Sequence, residues 1–267
     1  MTDLTIATWN INSVRLRIAT VEQFLRDVQP DVLCLQEIKG ENGVFPAANF
    51  EALGYTHQAV RGMKSYNGVA TLSRHPMTVL DDRNWCSKVD CRHVGTSVKG
   101  VEIHNFYVPA GGDIPDPKVN EKFAHKLMFL DEVREWFATE RPPSAAHRMV
   151  LVGDLNIAPL EHDVWSHKKL LDVVSHTPIE VEKYEAWRAA SDFRDAVRHF
   201  VPEDQKLYSW WSYRAKDWEE ANKGRRLDHI WVTPDLVPGL KAASIHKALR
   251  GVEKASDHAP VVVTMTV

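Results

Sequence analysis

Asp154 and Asn156 stand two residues apart where the apolar run Val150-Leu151-Val152 stops, followed by Ile157-Ala158-Pro159. A carboxylate can take a proton from water and an amide can donate to a developing oxyanion, so the pair suits hydrolysis. A continuous apolar run reads as a strand covered on both faces, with Gly153 giving its end backbone freedom. Side-chain alternation with period two then sends Asp154 and Asn156 to the same side. The competing reading is a plain turn, because Asp, Asn and Pro all favour loops.

Other polar residues share this placement. Asn10 and Asn12 follow Ile6-Ala7-Thr8-Trp9, and Glu37 follows Leu33-Cys34-Leu35-Gln36. Asp228-His229 lie between Leu227 and Ile230-Trp231-Val232, while Asp257-His258 precede Ala259-Pro260-Val261-Val262-Val263. Taken singly, each is as well explained by a loop cap or a surface charge. Taken together, carboxylates converging from strand ends are what a hard divalent cation such as magnesium needs, with room left for a phosphate.

The elements that must position them are readable in outline. A strand over 4–9, a helix over 14–28 capped by Ser13 and stopped by Pro30, and a buried strand over 31–36 make a parallel β-α-β opening. A short helix over 45–53 precedes strands over 56–60, 68–73, 78–80, 93–98 and 101–108, whose separating turns favour antiparallel pairing. A long helix over 116–139 leads to the strand at 149–152. Helices over 181–190 and 193–200 and strands over 208–213, 227–232, 242–246 and 260–267 complete the chain, the last of them expected to be buried. With no low-complexity linker, residues 1–267 read as one domain with two mixed sheets packed face to face and helices outside.

Bulk composition narrows the class. The 267 residues are 44% hydrophobic and 26% charged, values of a globular chain, and no 18-residue apolar run is present to span a membrane. Nothing resembling a secretory leader opens the chain, so the expected compartment is the cytoplasm, with the protein a monomer. Three cysteines argue against a disulfide framework, and Cys34, inside Val32-Leu33-Cys34-Leu35, reads as a small core hydrophobe. Cys86, Asp90, Cys91 and His93 are too loosely spaced for structural zinc. A net charge of −3 gives no global attraction to nucleic acid, so any polyanion site must be local. One candidate is 213–226, where Arg214, Lys216, Lys223, Arg225 and Arg226 interleave with Tyr213 and Trp218.

The ordered motifs Thr8-Trp9-Asn10-Ile11-Asn12, Leu35-Gln36-Glu37-Ile38-Lys39, Tyr107-Val108-Pro109, Gly153-Asp154-Leu155-Asn156, Arg226-Leu227-Asp228-His229 and Ser256-Asp257-His258-Ala259-Pro260 resemble the exonuclease III family of apurinic/apyrimidinic endonucleases. The resemblance covers residues 5–267. It implies a four-layer α/β sandwich, magnesium dependence with manganese as a substitute, and cleavage of DNA phosphodiesters. The segment Tyr208-Ser209-Trp210-Trp211-Ser212-Tyr213-Arg214 resembles the DNA-repair branch in particular, whose aromatic residues here line a pocket for a base-less sugar. The chain departs from relatives at Ala110, where many carry a polar residue, at Asn12, where some carry Asp, and at Arg225, where some carry a pocket Trp.

The resemblance implies these roles. Glu37, Asn10 and Asp257 are the expected metal ligands. Asp154 orients and deprotonates water, and Asn156 and His258 donate to the oxyanion. Asp228 holds a neighbouring histidine protonated, and Tyr107 contacts the phosphate. Arg214, Lys216, Lys223, Arg225 and Arg226 are expected on the DNA backbone, with Trp210, Trp211 and Leu227 forming the sugar pocket. The expected substrate is double-stranded DNA with abasic sites or blocked 3′ ends. A phosphatase or phosphodiesterase of the same superfamily acting on a non-DNA substrate is the first alternative. A catalytically dead DNA-binding protein is the second, disfavoured because clustered carboxylates repel phosphate unless a cation intervenes.

Overall fold

The computed structural model describes residues 2–215 and 217–267, so Lys216 lies outside the described residues. In chain order come β1 (Asp3–Asn10), α1 (Ile18–Val28), β2 (Val32–Gln36), α2 (Ala47–Glu51), β3 (His57–Arg61), β4 (Val69–Ser73), β5 (Met77–Asp81), β6 (His93–Val98) and β7 (Val101–Tyr107). They are followed by α3 (Glu121–Glu140), β8 (Met149–Asp154), α4 (His167–Leu170), α5 (Pro178–Ala190), β9 (Arg194–Asp195), β10 (Trp210–Trp211), α6 (Trp218–Ala221), β11 (Gly224–Arg225), β12 (Asp228–Val232), β13 (Leu240–Ile245) and β14 (Val261–Thr266).

Two six-stranded mixed sheets result, ordered β13-β14-β1-β2-β4-β3 and β5-β6-β7-β8-β12-β9. β1 and β2 are parallel, as the opening pattern implies, and β7 and β8 form the parallel pair of the second sheet. The chain changes sheets between β4 and β5, at the His75-Pro76 turn.

Burial explains the four layers. Leu4, Ile6, Val32 and Val263 from one sheet meet Ile103, Val150, Val152 and Ile230 from the other in a shared core. The opposite faces are covered too: Met149 and Leu151 pack with residues of α3 and α5, while Ala7, Trp9 and Leu33 pack with Val21 and Phe24 of α1. This is why 149–152 carries no polar alternation; both of its faces lie in apolar layers. Cys34 sits in the shared core, and the C-terminal β14 is buried between β1 and β13. Polar links also join the sheets: Gln36 Nε2 donates to Asn105 Oδ1 at 2.7 Å, and Asn105 Nδ2 donates to Leu35 O at 3.2 Å.

Several expected elements shift. The first helix starts at Ile18 because Ser13 takes a left-handed backbone (φ 86) and the next four residues form a turn. The segment expected as a helix over 193–200 gives the short edge strand β9, then a turn in which Asp195 Oδ1 accepts the N–H groups of Val197 and Arg198. The 208–213 strand shrinks to β10, paired with β11 in a separate ribbon. α5 starts at Pro178, three residues early, because Thr177 and Glu180 form a capping box.

Candidate active site

Strand register brings the polar residues to one end of the sandwich. Tyr107 pairs with Asp154 across β7 and β8, and Asp154 faces Asp228 across β8 and β12. In the first sheet Asn10 is level with Gln36, one residue before Glu37. Gly153 makes the alignment possible: at φ 143, a Cβ there would lie 1.9 Å from the Phe106 carbonyl oxygen on the neighbouring strand. Any side chain would push β7 and β8 apart beside Asp154.

Asn156 reaches Asp154 differently from the expected strand alternation. Its backbone is left-handed (φ 54), and the chain folds back so that Asn156 N donates to Asp154 Oδ1 at 3.0 Å. Its side-chain Nδ2 donates to Asp154 Oδ2 at 3.1 Å and to Val108 O at 2.9 Å. The turn and the chemistry are therefore the same feature.

Asn10 Nδ2 donates to Glu37 Oε1 and to Asp154 Oδ2, both at 2.8 Å, while its Oδ1 accepts from Asn12 N at 3.1 Å. In this orientation the Asn10 amide nitrogen joins two acids; the expected ligand role uses its Oδ1, which a half-turn of the same amide turns toward Glu37. Glu37 Oε1 also accepts from the Tyr107 hydroxyl at 3.0 Å. Its Oε2 pairs with Lys39 Nζ at 2.8 Å, and Lys39 in turn donates to Asn12 Oδ1 at 2.5 Å. Asn12 Nδ2 reaches Asp257 Oδ1 at 3.1 Å, and Trp210 Nε1 donates to Asp257 Oδ2 at 2.9 Å. Burial alone would raise the Glu37 carboxyl, but Lys39 and Asn10 outweigh it and hold it below the usual range.

Asp228 pairs with His258, from the loop before β14, and not with adjacent His229. His258 Nδ1 lies 2.8 Å from Asp228 Oδ2, which also accepts from Ser209 Oγ at 2.6 Å. His229 is turned into the core against Tyr184 OH and Ile157 O, where burial and the nearby Arg226 depress it to about 4. His258 is also buried, which works against protonation, but Asp228 and Asp154 overcome this and raise it. Its Nε2 stands 3.7 Å from Asp154 Oδ2. Asp154 is raised as well, first by burial and then by the Asp228 and Glu37 carboxylates. Tyr107 is raised far enough by burial, Glu37 and Asp154 to remain a neutral O–H donor.

Two donor sets could hold a cation. Asp154, Asp228 and His258 each offer a ligand atom, all within 4.8 Å of one another, and Asp228 Oδ1 has no hydrogen-bond partner among the described residues. However, a protonated imidazole donates and does not ligate, and the Asp228–His258 hydrogen bond is complete. The oxygens of Glu37, Asn10 and Asp257 are hard donors suited to magnesium. The ammonium of Lys39 already stands as a cation between Glu37 and Asn12.

These residues form the floor of an open cleft of about 1370 Å³ lined by Glu37, Tyr107, Asp154, Asn156, Asp257 and His258. Arg214, Lys223, Arg225, Trp210, Trp211 and Leu227 border the same cleft. Arg225 lies 5.3 Å over the Trp210 ring and donates to Val174 O and Ser175 Oγ. Arg226, expected on the DNA backbone, is instead 1% exposed with its guanidinium held by Asp163 and Asp195, so it braces the interior and does not reach DNA. Trp211 borders the cleft but is 3% exposed and packs with Tyr208 and Ala259. Sequence reasoning missed Trp165, a cleft wall flanked by Lys169 and Lys223 at 5.4 and 5.1 Å. A lone tryptophan in an irregular stretch gives no signal. It also missed Lys126, a cation on the apolar face of α3 between Phe123 and Leu130, which is detectable by its helical spacing.

Residues 7–258 match the endonuclease/exonuclease/phosphatase family. Exodeoxyribonuclease III of Haemophilus influenzae is 30% identical over 267 residues, covering 95% of this chain and 96% of that protein. An AP endonuclease from Archaeoglobus fulgidus superposes with a TM-score of 0.90 at 32% identity, covering 99% of this chain and 100% of that one. A 3′ phosphatase from Neisseria, solved with a product DNA hairpin, superposes with a TM-score of 0.88 at 30% identity and the same coverage. The chain therefore belongs to the endonuclease/exonuclease/phosphatase family, within its exonuclease III/AP endonuclease group, and is a nuclease.

Proposed function

We propose that this chain is a magnesium-dependent DNA-repair nuclease that cuts the phosphodiester 5′ to abasic sites in duplex DNA and leaves a 3′-hydroxyl. The same site would remove nucleotides from 3′ ends and clean 3′-phosphates. The observation that carries the reading is Asp154, raised toward neutrality, beside the Asn156 amide and a protonated His258 on the floor of one cleft. The relatives' activities on DNA, and the bound DNA hairpin of one of them, support the substrate class.

In this mechanism Asp154 takes the proton of the attacking water; a general base is most effective with a pKa near the working pH. His258 directs Nε2 at the phosphoryl group, held cationic by Asp228, which Ser209 in turn orients. The Asn156 N–H now aimed at Asp154 is the one a phosphoryl oxygen would compete for. Tyr107, neutral and anchored on Glu37, can donate to the phosphate. Glu37 and Asp257, with Asn10 beside Glu37, would hold magnesium. When bound, it neutralises phosphoryl charge and stabilises the leaving oxygen. Arg214, Lys223 and Arg225 supply sequence-independent backbone contacts, and Trp210 with Leu227 offers an apolar wall to a base-less sugar.

The test is the purified protein, with magnesium or with chelator, on duplexes bearing an internal abasic analogue, a recessed 3′-hydroxyl or a 3′-phosphate. Metal-dependent incision and 3′-phosphate release are expected. Hydrolysis of inositol or lipid phosphates with all three duplexes intact would contradict the reading.

A further inference from the structure

Lys126 and Glu180 form an ion pair at 2.5 Å with both side chains fully buried, outside the residues to which the hydrolysis has been assigned. Burying two charges costs more than their attraction returns unless every remaining donor and acceptor is satisfied. Here they are. Lys126 Nζ donates to Asn156 O at 2.7 Å and reaches Ala110 O at 3.4 Å, so its three hydrogens have three partners. The Glu180 carboxylate accepts from Ser175 N at 3.0 and 2.9 Å, from Thr177 N at 3.2 Å and from Thr177 Oγ1 at 2.7 Å.

What the pair joins is more telling than its burial. Ala110, Asn156 and Ser175 belong to three separate loops, and all three line the catalytic cleft. Gly111 lies so close to Lys126 that a Cβ there would meet its Cδ at 3.0 Å, so the loop that carries Ala110 packs directly on the lysine stem. The Asn156 carbonyl is the far end of the left-handed residue whose side chain points at Asp154. Fixing that carbonyl fixes the peptide from which the amide projects.

We propose that the Lys126–Glu180 pair is a positioning unit for catalysis: it locks the Asn156 backbone so that its amide is presented to the phosphate, and it holds the Ala110 and Ser175 loops at matching heights. The proposal rests on the oxyanion role given to Asn156 above. A pair that only stabilised the fold would affect melting and leave turnover of the folded enzyme unchanged.

The experiment removes both charges together, since removing one strands the other. Lys126→Met/Glu180→Gln, which leaves Asn156 O without its donor, is compared with Lys126→Gln/Glu180→Gln, which restores an amide donor at that place. Saturating and sub-saturating kinetics on abasic duplex are measured at a temperature where circular dichroism shows each variant folded. The Met variant is expected to lose about 10–100-fold in kcat, up to the ~10²–10³ of a removed oxyanion donor, with KM changed less than about threefold. The Gln variant is expected within about fivefold of wild type, a small change in barrier. Asn156→Ala, costly in the wild type, should cost little more in the Met variant, because residues acting as one unit are not additive.

Wild-type kcat in the folded Met variant, or a full additional loss on adding Asn156→Ala, would overturn the proposal while leaving the Asn156 role intact. A harmless Asn156→Ala in the wild-type chain would instead remove that role and the proposal with it. If the Met variant does not fold, Gly111→Ala decides. Its Cβ would meet Lys126 Cδ at 3.0 Å and displace the ammonium with both charges kept, so a kcat loss with KM little changed is expected, and wild-type kcat in the folded variant would overturn the proposal.

Discussion

His258 Nδ1 lies 2.8 Å from Asp228 Oδ2, and its Nε2 lies 3.7 Å from Asp154 Oδ2. One imidazole thus joins an acid that holds it protonated to an acid placed to accept a proton. Asp228 comes from β12, Asp154 from β8 and His258 from the loop before β14, so the relay exists only when both sheets are packed. The buried Gln36–Asn105 hydrogen bond is one of the polar links that hold the sheets together.

Asp228→Asn keeps the shape of this contact and removes the charge that raises His258. The imidazole should then lose its proton at lower pH than in the wild type, and the alkaline limb of the pH–kcat profile should move down. At neutral pH turnover should fall by about 10²-fold, the low end for a lost electrostatic donor. An unmoved alkaline limb, measured from pH 6 to 10, would contradict the assignment.

Trp210→Ala should narrow the preference for abasic over intact duplex by about five- to a hundredfold, the worth of ~1–3 kcal/mol of aromatic contact. The indole N–H also holds Asp257, so Trp210→Phe separates the two contributions. The Phe variant should keep discrimination and lose turnover. If the Ala variant only melts earlier, with discrimination unchanged, Trp210 is core and not pocket.

Glu102 gives a stability prediction far from the cleft. Burial would raise its carboxyl, but His104, Arg141 and His147 outweigh burial and hold it at about 2. A carboxyl depressed in the folded state contributes stability above its unfolded value of 4.5, and this is lost as pH falls toward 2. Glu102→Gln should therefore melt below the wild type at pH 7, and the two melting temperatures should converge between pH 4.5 and 2. A constant difference across that range would show that Glu102 acts through packing alone.

The layered fold and most of the site were legible because both depend on local patterns. Apolar runs with no polar alternation marked strands buried on two faces, and polar residues at the ends of those runs marked one rim of the sheets. What stayed hidden depended on distant partners. Arg226 looks like a DNA contact beside Arg225, yet Asp163 and Asp195, far away in sequence, draw it inside. His229 adjoins Asp228, but strand alternation sends it to the opposite face and leaves the pairing to His258. The 193–200 segment has helical spacing, yet edge pairing of β9 with β12 takes its start. Asn156 meets Asp154 through a left-handed turn, which Gly, Asn and Asp adopt at the least cost, and not through the strand alternation that the sequence suggests.

Asp154→Asn tests the central claim most directly, read as single-turnover cleavage of an abasic duplex with saturating enzyme and magnesium. The substitution keeps the size of the side chain and removes the proton acceptor. Duplex binding should stay near the wild-type value, while the cleavage rate should fall by about 10²–10⁴-fold, the contribution of a general base. Cleavage within about tenfold of the wild type would show that the water is activated elsewhere, and the hydrolytic reading of this cleft would not stand.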